Sequence, residues 1–144
     1  MIRTFRFQNH CRDIDWEEAA AVVLAAPLGE RNPEKMRRAF ENSFAVCFVF
    51  DGGTLAGMGR IVSDGEYQAV LYDLCLRPEY QGRGLGTLLL EKLMDTVRGL
   101  TVLLYAVPGK QGFYRRFGFR EMGTAMARFS DPERMRSMGY LIDP

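Results

Sequence analysis

The stretch Tyr72 to Met94, YDLCLRPEYQGRGLGTLLLEKLM, constrains this chain more than any other. An apolar run, Leu71 to Leu76, breaks at Arg77-Pro78 and passes through Gln81-Gly82-Arg83-Gly84-Leu85-Gly86 into a series of helix formers. The pattern predicts strand, glycine-rich turn, helix. Glycines at alternate positions remove Cβ atoms, so main-chain amides can approach a ligand closely. The helix that follows aims its unsatisfied N–H groups and the positive end of its dipole at the same place. Together these make a seat for phosphate.

The remaining sequence reads as alternating elements. Phe5 and Phe7, with Ile2, suggest a first strand. Asp15 caps a helix whose first turn holds Glu17 and Glu18, where negative charge suits the dipole. Asn32-Pro33 starts a second helix. Ser43 to Phe50 and Leu55 to Val62 flank the hairpin turn Asp51-Gly52-Gly53-Thr54, with Gly57 and Gly59 as candidate bulge sites. Asp64-Gly65 is a second turn, and Tyr67 to Leu76 the next strand. After the glycine turn, Gly86, Leu89, Leu90, Leu93 and Val97 make one helical face. Thr101 to Val107 follows as a strand parallel to its predecessor. A short helix from Lys110 to Arg116, a last strand from Phe119 to Phe129 and a polar, Met-containing tail complete the chain.

The order is β-α-α-β-β-β-α-β-α-β. It describes a mixed α/β domain: a mostly antiparallel sheet with one central parallel βαβ unit and helices on both faces, not a doubly wound sheet. With 144 residues and neither linker nor repeat, residues 1–144 are expected to form a single domain. Nineteen basic against eighteen acidic residues leave a net charge of +1, which gives no reason to expect nucleic acid or membrane as partner. Cys11, Cys47 and Cys75 are widely spaced, which points to a reducing, cytoplasmic compartment. The N-terminus lacks the apolar core of a signal peptide. His10 is the only histidine, so neither a zinc site nor a Ser-His-Asp triad is expected.

Spacing discriminates among phosphate seats. A dinucleotide fingerprint needs G-x-G-x-x-G, and a Walker loop needs G-x-x-x-x-G-K-[ST]; this loop has neither. Gln81 to Gly86 instead resembles the Q/R-x-x-G-x-G/A signature of the GCN5-related N-acetyltransferase (GNAT) superfamily. A second stretch, Gly112-Phe113-Tyr114-Arg115-Arg116-Phe117-Gly118-Phe119, is similar to that family's F-Y-x-x-x-G-F segment. The resemblance covers about Tyr72 to Phe119 and implies the same element order as the punctuation. One departure stands out: Val107-Pro108-Gly109 occupies the place where many relatives carry a cofactor-contacting asparagine.

The resemblance implies an acetyl-CoA-dependent N-acetyltransferase. The amine expected to attack the thioester directly belongs to a small molecule; this fits a small, bacterial-type enzyme without metal. Gln81, Gly82, Arg83, Gly84, Leu85, Gly86 and Thr87 would hold the pyrophosphate, and an amide within Leu74-Cys75-Leu76 would stabilise the oxyanion. Tyr114 is the candidate acid for the leaving thiolate, since a phenol of pKa about 10 is protonated at pH 7. Asp73 is the candidate base nearest in sequence. Regular alternation, however, sets Asp73 and Cys75 on one face of the strand and Tyr72, Leu74 and Leu76 on the other, so Asp73 looks away unless a bulge re-aims it. Glu30, Glu34 and Glu66 are looser alternatives. Phe40, Phe44, Tyr67 and Tyr72 could line an aromatic pocket for an arylalkylamine or belong to the core. The rival function is a non-catalytic CoA-binding sensor of the same fold. A homodimer through the last strand and tail is a compositional expectation.

Overall fold

A computed structural model describes residues 4–142. They form β1 (Phe5–Gln8), α1 (Trp16–Ala25), α2 (Pro33–Glu41), β2 (Ala45–Asp51), β3 (Thr54–Ser63) and β4 (Gln68–Leu76). A 3-10 turn (Pro78–Tyr80), α3 (Leu85–Asp95), β5 (Thr101–Leu103), α4 (Gln111–Arg115) and α5 (Pro132–Ser137) follow. Ile2 of the expected first strand lies outside the described residues. The chain divides into two compact units, one ending at Leu104 and one beginning at Tyr105.

The first unit holds a five-stranded sheet in the order β1-β2-β3-β4-β5. The first three pairings are antiparallel, and β4 with β5 is parallel, bridged by α3. Local chemistry sets the helix starts as anticipated. Asp15 accepts from the Glu17 and Glu18 amides, and Asn32 accepts from the Lys35 amide ahead of Pro33.

Alternation along the strands separates two packed layers. Val46, Phe48, Phe50 and Met58 face α1 and α2, where Phe40 stacks on Phe48 with ring centroids 5.4 Å apart and Trp16 closes on both. Phe40 is therefore core, not pocket lining. On the opposite face α3 buries Leu89, Leu90 and Leu93. Each such side chain contributes about 1.5–3 kcal/mol by burial, which anchors the helix and so fixes where its N-terminus points. Its Lys92 ammonium lies 4.7 Å above the Phe7 ring.

Two register shifts interrupt the ladders. One lies between Val49 and Phe50 in β2, where β3 carries the additional residue Ala56. The other lies opposite Gly59, where β4 supplies both Asp73 and Leu74. Gly59 thus faces a bulge and does not form one.

The second unit differs from expectation. Residues 119–129 form no strand, and 120–128 are exposed throughout. With Gly123 and few β-branched residues, this segment offers little side-chain packing to support a ladder. β5 is likewise cut to three residues, leaving Leu104 to Val107 outside the sheet. Tyr105 packs edge-on against Phe129 and Tyr140, with centroids 5.6 and 5.7 Å away.

A Cβ at Gly57 would collide with the Leu76 side chain and lie 2.5 Å from the Cys75 carbonyl oxygen. Gly57→Ala should therefore destabilise the protein by about 1–3 kcal/mol through overpacking. Urea denaturation checks this, and an unchanged midpoint would contradict the close approach.

Candidate functional site

The parallel pair β4 and β5 hydrogen-bonds only from Gln68–Thr101 to Val70–Leu103. The ladder ends there, whereas β4 itself continues to Leu76. A strand edge of this kind offers main-chain donors and acceptors to an extended ligand. This end of β4 leads directly to the glycine turn, and the Gln81 side-chain amide donates to the Leu76 carbonyl at 3.1 Å, tying the two together.

The turn has the backbone its composition implies. Gly82 and Gly84 adopt φ of 78° and 81°, left-handed values that cost other residues strain. Space is open where a Cβ would stand at either position. Gly84 is the N-cap of α3, and no side chain caps the helix. The first-turn amides, from Leu85 through Thr87, have no acceptor within an α-helix and so point outward with the dipole. This arrangement fits a diphosphate: bare amides, room for close approach and a favourable field. Arg83 lies beside it, its guanidinium carbon 5.7 Å from the Tyr80 ring centre.

Tyr80 was not singled out by sequence reasoning. It is buried, its hydroxyl donates to Asp51 at 2.7 Å, and its ring meets Phe5 edge-on. It thereby braces the turn against β1 and β2. Arg77 makes a second brace, donating from its amide to the Ala56 carbonyl and from Nε to the Leu55 carbonyl. Its Nη2 lies 3.4 Å from Glu18. A tyrosine and an arginine flanking a proline carry no pattern that distinguishes braces from surface residues.

The bulge changes the face assignment on β4. Leu74 and Leu76 lie against Gly59 and Gly57 on the α3 side. Cys75 packs with Met58 in the layer beneath α1 and α2. Asp73 has φ of 57°, and its carboxylate meets Arg60 Nε at 2.8 Å and Arg31 Nη1 at 3.0 Å. Arg60 also lies 5.1 Å above the Tyr72 ring. Tyr72, Asp73 and Cys75 therefore share one side, which uninterrupted alternation does not allow.

Among the looser candidates, Glu34 is taken by Arg37 at 2.9 Å, while Glu30 and Glu66 are exposed. Tyr114 lies in the second unit, on α4, half-buried and edge-on to Phe113 and Phe119. No group of three or more His, Cys, Asp or Glu among the described residues could hold a metal.

Burial, and secondarily the Asp73 charge, pushes the Cys75 thiol up to about 12. Burial also pushes Cys47 up to about 11. Neither presents a thiolate near neutrality, which argues against an acetylated cysteine intermediate. The folded form resists an ionisation that the unfolded chain undergoes near pH 8.5. The stability Cys75 confers is thus complete below that pH and declines as pH rises toward about 12. Iodoacetamide at pH 8 should label half-exposed Cys11 in the native protein and reach Cys47 and Cys75 only in denaturant. Rapid native labelling of Cys75, read by peptide mass spectrometry, would contradict this.

Comparison with known proteins agrees with the geometry. The family described as "Acetyltransferase (GNAT) family" matches residues 9–119. The chain is 36% identical to rice "Serotonin N-acetyltransferase 2, chloroplastic", over 96% of this chain and 68% of that protein. It is 26% identical to Arabidopsis thaliana "GCN5-related N-acetyltransferase 1, chloroplastic", with the same coverage of each. A GNAT-family acetyltransferase from Streptococcus pneumoniae shares the fold at a TM-score of 0.76 and 24% identity, over 88% of this chain and 98% of that one. A "predicted acetyltransferase with acetyl-CoA" from Clostridium acetobutylicum superposes at 0.66 and 14% identity, covering 90% and 98%. A bare-amide turn beside a parted parallel pair, on a chain matched over most of its length, leads to one conclusion: this protein belongs to the GNAT family of acetyltransferases and is an N-acetyltransferase using acetyl-CoA.

Proposed function

We propose that this enzyme transfers the acetyl group of acetyl-CoA to a small primary amine, of the arylalkylamine class, by direct attack on the thioester. The observation that carries the reading is the continuity of the end of β4, beyond its ladder with β5, with the uncapped start of α3. An extended pantetheine arm would pair along that end of the strand, its diphosphate on the amides from Gly82 to Thr87. The thioester would then reach the bulge, beside Leu74, Cys75 and Leu76. The family match runs past Leu104 to Phe119, which supports treating both units as parts of one acetyltransferase domain.

An amine of pKa about 10.4 is neutral in only about one molecule in 2,500 at pH 7, a deficit near 4.6 kcal/mol. The site must bind that neutral form or accept its proton. The nitrogen attacks the carbonyl carbon, a main-chain N–H of β4 stabilises the oxyanion, and the C–S bond breaks as the thiolate leaves. Tyr114 supplies the proton to that sulfur in this reading.

The aromatic acceptor rests on two supports. Tyr72 is half-buried on the side of β4 that also carries Asp73. The rice relative bears the name of an enzyme acting on serotonin, an arylalkylamine. Phe44 and Tyr67 are exposed, Phe44 against the β3–β4 turn. A lysine acceptor is the competing reading, since a soybean relative 29% identical is named a histone acetyltransferase. The free thiols Cys11, Cys47 and Cys75 fit the reducing, cytoplasmic setting we propose.

Calorimetry with acetyl-CoA should show binding to the native protein and none to Gly84→Glu, which sets bulk and negative charge among the amides. Unchanged affinity in that variant would end the assignment of the seat. Turnover with serotonin, tryptamine, spermidine and a histone-tail peptide compares the acceptor classes; exclusive use of the peptide would overturn the small-amine reading. Tyr114→Phe should lower kcat about 10²-fold at constant KM for acetyl-CoA. An unaltered kcat would remove Tyr114 from the chemistry.

A further inference from the structure

Arg31, Asp73 and Arg60 form a polar cluster that the diphosphate seat does not use. Asp73 is a non-glycine residue at φ 57°, a conformation that persists only where its surroundings impose it. Its carboxylate is one-tenth exposed and takes one guanidinium on each oxygen, Arg31 at 3.0 Å and Arg60 at 2.8 Å. The two partners differ in freedom. Arg60 sits on β3, held between the Phe40 and Tyr72 rings at 5.6 and 5.1 Å, with Nη1 directed to Ser43 at 3.4 Å. Arg31 sits in the connection between α1 and α2, one-third exposed, and Asp73 is the partner that holds it.

We propose that Arg31 is a positioning residue for the acceptor substrate: through Asp73 it pins the α1–α2 connection to the β4 bulge. This rests on the reading that the bulge receives the thioester. Arg60 holds the other carboxylate oxygen of Asp73 from β3. Arg31 adds a tie that sets how closely the α1–α2 connection lies over the acceptor end of the strand. The seat for acetyl-CoA is fixed independently, by the packing of α3 and the Gln81–Leu76 hydrogen bond. Loss of Arg31 therefore reaches the acceptor and spares the cofactor.

The test compares Arg31→Ala, Arg31→Lys, Asp73→Asn and the double variant Arg31→Ala/Asp73→Asn as intact protein. Asparagine tolerates the left-handed backbone, so the folded strand is retained while the charge is lost. Hydrogen–deuterium exchange of residues 26–32 should rise several-fold in Arg31→Ala, return toward the native value in Arg31→Lys, and rise no further in the double variant than in the worse single one. With serotonin as probe, Arg31→Ala should raise the acceptor KM about tenfold and leave the acetyl-CoA KM within twofold. A purely structural role would move both KM values together. Native-like exchange at 26–32 in Arg31→Ala, or additive effects in the double variant, would overturn the tie. Were the native enzyme inert toward serotonin, the arylalkylamine reading would fail while the exchange measurement would still decide the tie.

Discussion

The arrangement of this site depends on one extra residue in a β-ladder. Opposite Gly59, β4 presents both Asp73 and Leu74, and every side chain toward the strand's C-terminal end is shifted by one place. A strand's side-chain period is two, so a one-residue insertion exchanges its faces. Leu74 and Leu76 are thereby turned toward α3, and Cys75 enters the opposite core. The left-handed backbone this requires at Asp73 is held by two guanidinium groups from different elements. At this depth, a carboxylate without those partners would carry an uncompensated desolvation penalty.

Around that shift the rest of the first unit acts as support. α3 contributes buried leucines on one face and bare amides at one end, so the packing that stabilises it also aims its dipole. The β4–β5 ladder ends at Val70 because β5 is short, three residues against nine in β4. Tyr80 and Arg77 tie the intervening turn to strands distant in sequence. The turn is thus held at both ends by contacts within the protein.

Much of this was legible along the chain because its determinants are local. Asp15 and Asn32 announce their helices by capping chemistry, Gly82 and Gly84 announce a turn by conformational freedom, and Asp51-Gly52-Gly53-Thr54 announces a hairpin. The end of the chain departs from its sequence pattern for the complementary reason. Residues 119–129 begin and end on phenylalanine, yet a strand exists only with a partner, and none pairs with them among the described residues. Phe40 posed the same problem in miniature: an aromatic at a helix end reads equally as pocket or core until Trp16 and Phe48 are seen against it.

What the sequence determined by itself is the glycine turn with its uncapped helix start and the order of elements leading to it, because turn geometry, helix capping and the dipole depend on residues within a few positions of one another. What only tertiary structure decided is which way β4 faces. That outcome rests on a register set across two strands and on ion pairs from Arg31 and Arg60 to Asp73, residues 42 and 13 positions away. Periodicity within one segment cannot encode a slip against its neighbour, and the placement of Asp73 follows from such a slip.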